Sequence, residues 1–194
     1  MLIGHAGHPE VIGTLGQLPK GAITLVETAE DAEAFAPRDG QKLAYITQTT
    51  LSIDEAAEIV DALRRRFPAI AGPHKNDICY ATTNRQEAVK RIAKRCTGLL
   101  VIGAPNSSNA CRLVEVAERE GAGFGRLVER ARDIDWSLFA PGDTIGITAG
   151  ASTPETLVTE VLEAFDDRFS LDIEEVRVRP EEVQFKLPKT LTAA

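Results

Sequence analysis

Short apolar runs alternate along the chain with loops of small polar residues and then with amphipathic segments at helical spacing. The apolar run 43–46, for example, is followed by a loop rich in Thr and Ser, and apolar residues then recur at positions i, i+4, i+7 and i+11. The same order occurs again after the runs 78–81, 99–102 and 144–147, and a shorter version opens the chain at Leu2. This pattern predicts repeated strand-loop-helix units.

Capping boxes indicate where three of the predicted helices begin. In such a box a Ser or Thr is followed three residues later by Glu or Gln, and each of the two side chains accepts a backbone N–H of the first turn. The pairs are Ser52 with Glu55, Thr83 with Gln86, and Ser152 with Glu155. Apolar strands that alternate with helices favour an α/β fold with parallel sheets covered on both faces.

The predicted loops have the composition of an anion site. In parallel sheets, ligands bind beyond the carboxyl ends of the strands, and free N–H groups at helix N-termini favour anions such as phosphate. Neither G-x-x-x-x-G-K-[ST] nor G-x-G-x-x-G follows a strand, so the common nucleotide and dinucleotide sites are not indicated. For any single loop, the alternative is that its Ser, Thr and Asn residues only cap a helix.

Charge and composition narrow the function classes further. The 194 residues are 43% hydrophobic and carry a net charge of −7, which is typical of a globular protein and disfavours nucleic acid and anionic membranes as partners. No apolar run approaches the roughly 20 residues of a membrane span, and no secretory signal is visible at the N-terminus, so we expect a cytoplasmic protein. The three cysteines are widely spaced, which argues against a disulfide framework.

Five motifs in order give the sequence a specific resemblance. They are His5-Ala6-Gly7-His8-Pro9-Glu10-Val11, Thr47-Gln48-Thr49-Thr50-Leu51-Ser52, Asp77-Ile78-Cys79-Tyr80-Ala81-Thr82-Thr83-Asn84-Arg85-Gln86, Asn106-Ser107-Ser108-Asn109 and Thr148-Ala149-Gly150-Ala151-Ser152. From residue 1 to about residue 188 the chain closely resembles the 4-hydroxy-3-methylbut-2-enyl diphosphate reductase family of the non-mevalonate isoprenoid pathway. The resemblance implies a trefoil of three α/β units around a [4Fe–4S] cluster, and a reductive dehydroxylation that yields isopentenyl and dimethylallyl diphosphate.

The resemblance also implies roles for individual residues. Cys79 corresponds to a cluster ligand, Glu10 to the proton donor, and Thr49 to a hydroxyl that relays between Glu10 and the substrate oxygen. The residues that would bind the substrate are His8, Thr49, Ser107, Ser108, Asn109 and Ser152. The alternatives are that Cys79 is a small buried side chain and that the Glu10 carboxylate only interacts favourably with the positive N-terminal end of a helix. For the Ser and Thr residues, the alternative is that their hydroxyl groups only cap backbone N–H groups.

The remaining cysteines and histidines are interpreted as structural. Cys96 is in phase with Val89 and Ile92 on an apolar helix face, which places it in the core. Cys111 corresponds to no ligand of the family and is expected to pack. His5 and His74 are expected to be solvated or structural.

The chain departs from the family pattern at its start. The family's first unit, with one cysteine ligand, has no counterpart here, and the second unit's cysteine precedes Met1, so two cluster ligands are absent from this sequence. We expect residues 1–76 to form a partial second unit, 77–166 the third unit, and 167–194 a C-terminal strand and tail. An exposed sheet edge and uncovered apolar surface are expected near residues 1–46.

Two hypotheses about function follow from this departure. In the first, the chain is the C-terminal two units of the iron-sulfur reductase, which acts on an allylic diphosphate with electrons from a ferredoxin- or flavodoxin-like donor. In the second, it is a truncated or degenerate module that binds diphosphate, lacks the cluster, is inactive alone and is completed by a separate polypeptide. The missing N-terminal segment is therefore an expected partner.

Overall fold

Two three-stranded parallel sheets, each with its first strand in the centre, organise the protein. A computed structural model describes residues 1–38 and 40–179. The strands are β1 (Leu2–Ile3), β2 (Leu25–Val26), β3 (Ile46–Thr47), β4 (Gly98–Ile102), β5 (Gly125–Val128) and β6 (Ile145–Ala149). The orders are β2-β1-β3 and β5-β4-β6, so the second sheet repeats the arrangement of the first. This confirms the predicted α/β fold with repeated parallel units.

Among the described residues, six α-helices accompany the strands. They are α1 (Pro9–Leu15), α2 (Ala29–Ala34), α3 (Ile53–Arg66), α4 (Tyr80–Ile92), α5 (Ser108–Arg119) and α6 (Glu155–Asp166). In the part of the chain that the structure describes, no helix is long and apolar enough to cross a membrane.

The central strand β4 shows why this sequence forms a covered sheet. All five of its residues are buried, as expected for a parallel strand with helices on both faces. On one face, Leu99 and Val101 pack with residues of α4 and α5, among them Val89 and Leu113. On the other face, Leu100 and Ile102 pack with α6 and with a cluster of aromatic rings. A separate apolar core joins Ile3 and Val26 of the first sheet to α2 and α3.

The predicted strand at 78–81 is wrong, because α4 already begins at Tyr80 and Cys79 is its N-cap. Short apolar runs are ambiguous between strand and helix when judged by periodicity alone. The predicted capping box at Thr83 is wrong for the same reason, since Thr83 lies inside the helix. Instead, the buried Gln86 side chain donates to the carbonyl of Leu51 and accepts the N–H of Ile53, so it caps the start of α3 from a neighbouring helix.

Two further helix starts differ from the sequence pattern. Ser52 does accept the N–H of Glu55 at 3.4 Å, but the Glu55 carboxylate pairs with Arg112 instead of completing the box. The predicted cap at Ser152 is wrong, because α6 begins at Glu155 after Pro154 and has no side-chain cap. The Ser152 side chain therefore does not cap α6.

The predicted helical position of Cys96 is also wrong, although its packing role fits the structure. Helix α4 ends at Ile92, and a 3-10 turn, Ala93–Arg95, carries the chain to Cys96 in an extended conformation. The half-buried Cys96 Sγ lies close to Gly146 of β6, where a Cβ atom would meet it at 3.1 Å. Cys96 thus packs against the second sheet from beyond the helix.

The predicted domain boundaries stay predictions. Ile78 belongs to the first core and Val89 to the second, so the chain passes from one core to the other between these two residues. Residues 167–179 contain no strand, and residues 180–194 of the predicted strand and tail lie outside the described residues. As expected for residues 1–46, large apolar side chains there are exposed, namely Ile12, Leu18 and Ile46.

Candidate functional site

The carboxylate of Glu10 and the hydroxyl of Thr49 lie in direct contact although 39 residues separate them. The Thr49 Oγ1 donates to Glu10 Oε2 at 3.0 Å, and the Thr49 N–H donates to Oε1 at 3.0 Å. Glu10 lies in the first turn of α1, which follows β1, while Thr49 follows β3. Because β1 and β3 are parallel neighbours, their carboxyl ends bring the two loops together. The structure thus joins the predicted acid to its predicted relay.

His8 is oriented by the same helix start. It is the N-cap of α1, and its Nδ1 accepts the N–H of Glu10 at 3.2 Å. Since Nδ1 acts as acceptor, the neutral ring carries its proton on Nε2. His8 therefore offers a single N–H donor beside Glu10.

A hydroxyl contact connects the loop after β3 to helix α5, which follows the central strand of the second sheet. Thr50 Oγ1 and Ser108 Oγ are 2.8 Å apart, and the Gln48 amide nitrogen donates to Thr50 Oγ1 at 2.9 Å. Gln48 is fully buried, and its Oε1 accepts the N–H of His5 at 3.0 Å. Sequence reasoning missed Gln48 and Thr50 as site residues. The available signal was their place inside the Thr-Gln-Thr-Thr motif, which does not by itself say which side chain faces inward.

The first turn of α5 carries three of the predicted diphosphate ligands. Ser107 is the N-cap, and its hydroxyl accepts the N–H of Ala110 at 3.3 Å. Asn109 is only 6% exposed, yet neither amide atom of its side chain has a hydrogen-bond partner in the described part of the chain. An unpaired buried polar group costs about 1–3 kcal/mol. Native proteins rarely carry such a group without a reason, and a ligand supplies one.

Ser152 shares a cavity with Ser107. The cavity measures about 430 Å³ and opens where β4, β5 and β6 end, and its lining includes Gly103, Arg130 and Thr153. Gly103 is needed there, because a Cβ atom would stand 2.6 Å from that of Ala110 on α5. The close approach keeps the N-terminus of α5, including Ser107, against the end of β4.

Cys79 lies beside Thr49. Its N–H donates to the Thr49 carbonyl oxygen at 3.1 Å, and the residue is exposed at the N-terminus of α4. A second cavity of about 430 Å³ is lined by Cys79 together with Asp77 and Tyr80. The alternative that Cys79 is a small buried side chain is wrong, because Cys79 is exposed, while its role as a ligand stays a prediction.

The described residues offer no preformed group of metal ligands. Within residues 1–38 and 40–179, no three His, Cys, Asp or Glu side chains are grouped closely enough to bind a metal ion. Cys111 Sγ contacts the carbonyl of Pro105 at 3.3 Å, and Cys96 packs against Gly146. Because [4Fe–4S] clusters are held by several thiolates, Cys79 and the side chains around it are not a complete ligand set within the described residues.

The environments of the thiols predict their order of reactivity. Burial raises the pKa of the Cys96 thiol, an effect that Arg95 and the backbone of Gly146 partly oppose. A raised pKa leaves less thiolate at any given pH, and the thiolate is the species that is alkylated. We therefore expect iodoacetamide at mildly alkaline pH to modify exposed Cys79 first and Cys96 last, as measured by peptide mass spectrometry. Faster labelling of Cys96 than of Cys79 would contradict this.

The two remaining histidines differ from each other. His74 is exposed, as expected. His5 is half-buried, and its Nε2 lies 2.6 Å from Nη2 of Arg112. His5 is therefore the structural histidine of the pair.

Comparison with known proteins shows the family to which these residues belong. The profile of the LytB protein family matches residues 1–166, which include both parallel sheets and the Glu10–Thr49 contact. The chain belongs to the LytB family. Its relatives include 4-hydroxy-3-methylbut-2-enyl diphosphate reductases from Roseobacter denitrificans, 58% identical over 191 residues, and from Hyphomonas neptunium, 62% identical over 191 residues. Each alignment covers 98% of this chain and 60% or 61% of the relative.

A solved structure supports the LytB fold. The E-1-hydroxy-2-methyl-but-2-enyl-4-diphosphate reductase from Plasmodium falciparum superimposes with a TM-score of 0.90 at 35% identity. The match covers 98% of this chain and 60% of that one. The chain thus spans about three fifths of the length of these LytB relatives.

Proposed function

We propose that this chain supplies the diphosphate site and the proton donor of a 4-hydroxy-3-methylbut-2-enyl diphosphate reductase. The observation that carries the proposal is the contact between Glu10 and Thr49, the proposed acid and the proposed relay. The next residue, Thr50, contacts Ser108 at the start of α5, which supports a shared site. Membership of the LytB family and the names of its relatives support the reaction class.

In this proposal the diphosphate lies at the start of α5. Free N–H groups and the positive end of the helix dipole favour it there. Ser107, Ser108 and Asn109 would donate from α5, Ser152 from across the cavity, and His8 from the opposite loop. These uncharged donors suit an anion without many cations, so the net charge of −7 is no obstacle.

Glu10 would act on the allylic hydroxyl. When protonated, it delivers its proton to the departing oxygen, which leaves as water. Thr49 can accept from one group and donate to another, so it relays between Glu10 and the substrate oxygen. The conversion of the alcohol to the hydrocarbon also consumes two electrons and a second proton, and a [4Fe–4S] cluster supplies the electrons when bound.

The partners follow from this chemistry. Cys79 would provide one cluster ligand, a further polypeptide segment would provide the others, and a ferredoxin- or flavodoxin-like protein would deliver electrons. The cysteines of the sequence fit a reducing compartment such as the cytoplasm.

A second candidate function is a diphosphate-binding module without reductase activity. The buried, unpaired amide of Asn109 at the start of α5 supports an anion site of the kind that such a module would use. Both candidates use the same anion site, so binding alone does not separate them.

A chimera tests the proposal directly. These 194 residues would replace the matching part of the Roseobacter denitrificans relative, to which they align over 191 residues at 58% identity. If the chain carries a competent site, the purified chimera binds a cluster and reduces 4-hydroxy-3-methylbut-2-enyl diphosphate. A chimera that binds the cluster and inorganic pyrophosphate but does not turn over would favour the module.

Replacing Asn109 by Ala separates binding from folding. We expect the affinity for inorganic pyrophosphate to fall by about 1.5–3 kcal/mol, the value of a hydrogen bond to a charged group. The free energy of unfolding should stay within about 1 kcal/mol, since the amide has no partner to lose. Calorimetric titration and urea unfolding measure the two quantities.

Ser107→Ala serves as the comparison, because Ser107 is a true N-cap. It should lose stability by about 1 kcal/mol as well as affinity. An Asn109→Ala protein that unfolds more easily yet binds pyrophosphate normally would contradict the assignment of Asn109 as a ligand.

A further inference from the structure

A buried arginine joins the two sheets, and the proposed reaction assigns it no role. The side chain of Arg112 is 10% exposed and lies on α5. Because residues four apart share a helix face, Arg112 lies on the same face as Ser108, one turn further along. Its position next to a proposed diphosphate ligand raises the question of what the charge does there.

The guanidinium contacts three side chains. Its Nη1 pairs with Glu55 Oε2 of α3 at 3.0 Å and with Glu115 of its own helix, and its Nη2 meets His5 Nε2 at 2.6 Å. Arginine carries donors only, so His5 Nε2 must accept and the imidazole proton lies on Nδ1. One planar group thus holds α5 to a helix and a loop of the first sheet.

The contacts close a ring. The backbone N–H of His5 donates to Gln48 Oε1 at 3.0 Å, and the side-chain Nε2 of Gln48 lies 3.5 Å from Ser108 Oγ. Helix α5 is therefore attached at Ser108 to the second loop, which follows β3, and one turn later at Arg112 to the first loop, which follows β1, and to α3. The first loop continues from His5 into Glu10, and the second continues from Gln48 into Thr49.

We propose that Arg112 is a positioning residue that fixes the first turn of α5 against Glu10 and Thr49. Ser108 joins the first turn of α5 to the second loop, and Arg112 adds an attachment to the first loop and to α3. Together the two attachments set the spacing between the proposed diphosphate ligands and the proposed acid. This role rests on the proposed function, because the groups that Arg112 would position are the proposed diphosphate ligands and the proposed acid.

Lysine cannot replace Arg112 in this role. The geometry needs one planar group that directs separate N–H donors to Glu55 and to His5, and an ammonium group lacks that fixed fork. Arg112→Lys therefore keeps the charge and removes the geometry. It also limits the loss of stability that a neutral replacement would cause.

Arg119 provides a matched control. It also lies on α5 and faces acidic residues of α3, with 3.6 Å to Glu58, 3.7 Å to Asp54 and 3.9 Å to Glu55. Its side chain is 43% exposed, and all of its ion pairs in the described part of the chain are with α3. Arg119→Lys makes the same chemical change away from the His5 loop.

The experiment compares the 194-residue chain with its Arg112→Lys and Arg119→Lys variants by two measurements. One is NMR amide hydrogen exchange at Thr49, whose N–H is held by Glu10, with Val101 of β4 as the reference amide. The other is calorimetric titration with inorganic pyrophosphate. In Arg112→Lys we expect Thr49 to exchange about tenfold faster and pyrophosphate to bind about tenfold more weakly, as for coupled neighbours. Val101 should be unchanged, and Arg119→Lys should change neither quantity.

Each outcome bears on the proposal. If Arg112→Lys lowers the melting temperature but leaves Thr49 exchange and pyrophosphate affinity unchanged, Arg112 is only structural and the inference is wrong. Equal effects of the two variants would also overturn it. If the unmodified chain does not bind pyrophosphate, the proposed diphosphate site fails, while the Thr49 exchange rate still decides whether Arg112 positions that loop. The imidazole ¹⁵N shifts of His5 give an independent check, since loss of the Arg112 donor should alter them.

Discussion

Turnover of the chimera should fall about 100-fold or more when Glu10 is replaced by Gln, because an amide has no proton to transfer to the departing hydroxyl. The replacement keeps the size of the side chain and one oxygen that can accept from Thr49, so the loop should keep its conformation. Single-turnover rates with the reduced cluster measure the effect without interference from product release. Pyrophosphate affinity should change little.

Glu27→Gln is the matched control for this change. Glu27 is also a carboxylate near the first loop, where its Oε2 accepts the N–H of Ala6 at 2.8 Å, but it makes no contact with Thr49. Its turnover should stay near that of the parent chimera. A Glu10→Gln chimera with nearly normal turnover would show that Glu10 is only a first-turn acid that favours the start of α1.

The 194-residue polypeptide, expressed by itself, should purify colourless and without reductase activity, even after anaerobic treatment with iron and sulfide. One thiolate, Cys79, cannot hold a four-iron cluster, and the described residues offer no metal group of three side chains. Addition of the cysteine-bearing segment of a relative, in cis or as a separate polypeptide, should restore the brown absorption, because metal binding and completion of the site are coupled. Iron content and the visible spectrum measure the outcome.

A stoichiometric [4Fe–4S] spectrum from the isolated chain would contradict this expectation. Two variants would then locate the ligands. Loss of the cluster in Cys111→Ser would mean that Cys111 moves away from its contact with Pro105 to bind iron. Loss in Cys79→Ser alone, together with a change in oligomeric state, would mean that several chains share one cluster.

Much of the architecture was predictable from local patterns. The run at 99–102 is a strand because a continuous apolar segment suits a sheet covered on both faces, and α5 follows from its amphipathic spacing. The α/β fold, its parallel strands and its repetition were therefore within reach of the sequence. The segment 78–81 was not, because four apolar residues satisfy a strand and the first turn of a helix equally well.

Capping patterns were less dependable than periodicity. Gln86 fits a capping box in the sequence, yet its side chain binds Leu51 and Ile53 of another element. Glu55 likewise reaches Arg112 across the junction between the sheets. A polar side chain forms its hydrogen bond or ion pair with a nearby group that would otherwise be buried without a partner, and tertiary packing decides which group that is.

The sequence by itself determined the repeated α/β units, the family and the candidate residues, since periodicity and motifs are properties of neighbouring positions. The tertiary structure alone decided which candidates meet. Glu10 and Thr49 come together because β1 and β3 pair in parallel, and Thr50 meets Ser108 across the two sheets. The unpaired amide of Asn109 depends on burial, and the ring through Arg112 depends on contacts between residues far apart in the sequence. Neither burial nor such contacts can be predicted from the spacing of residues along the chain.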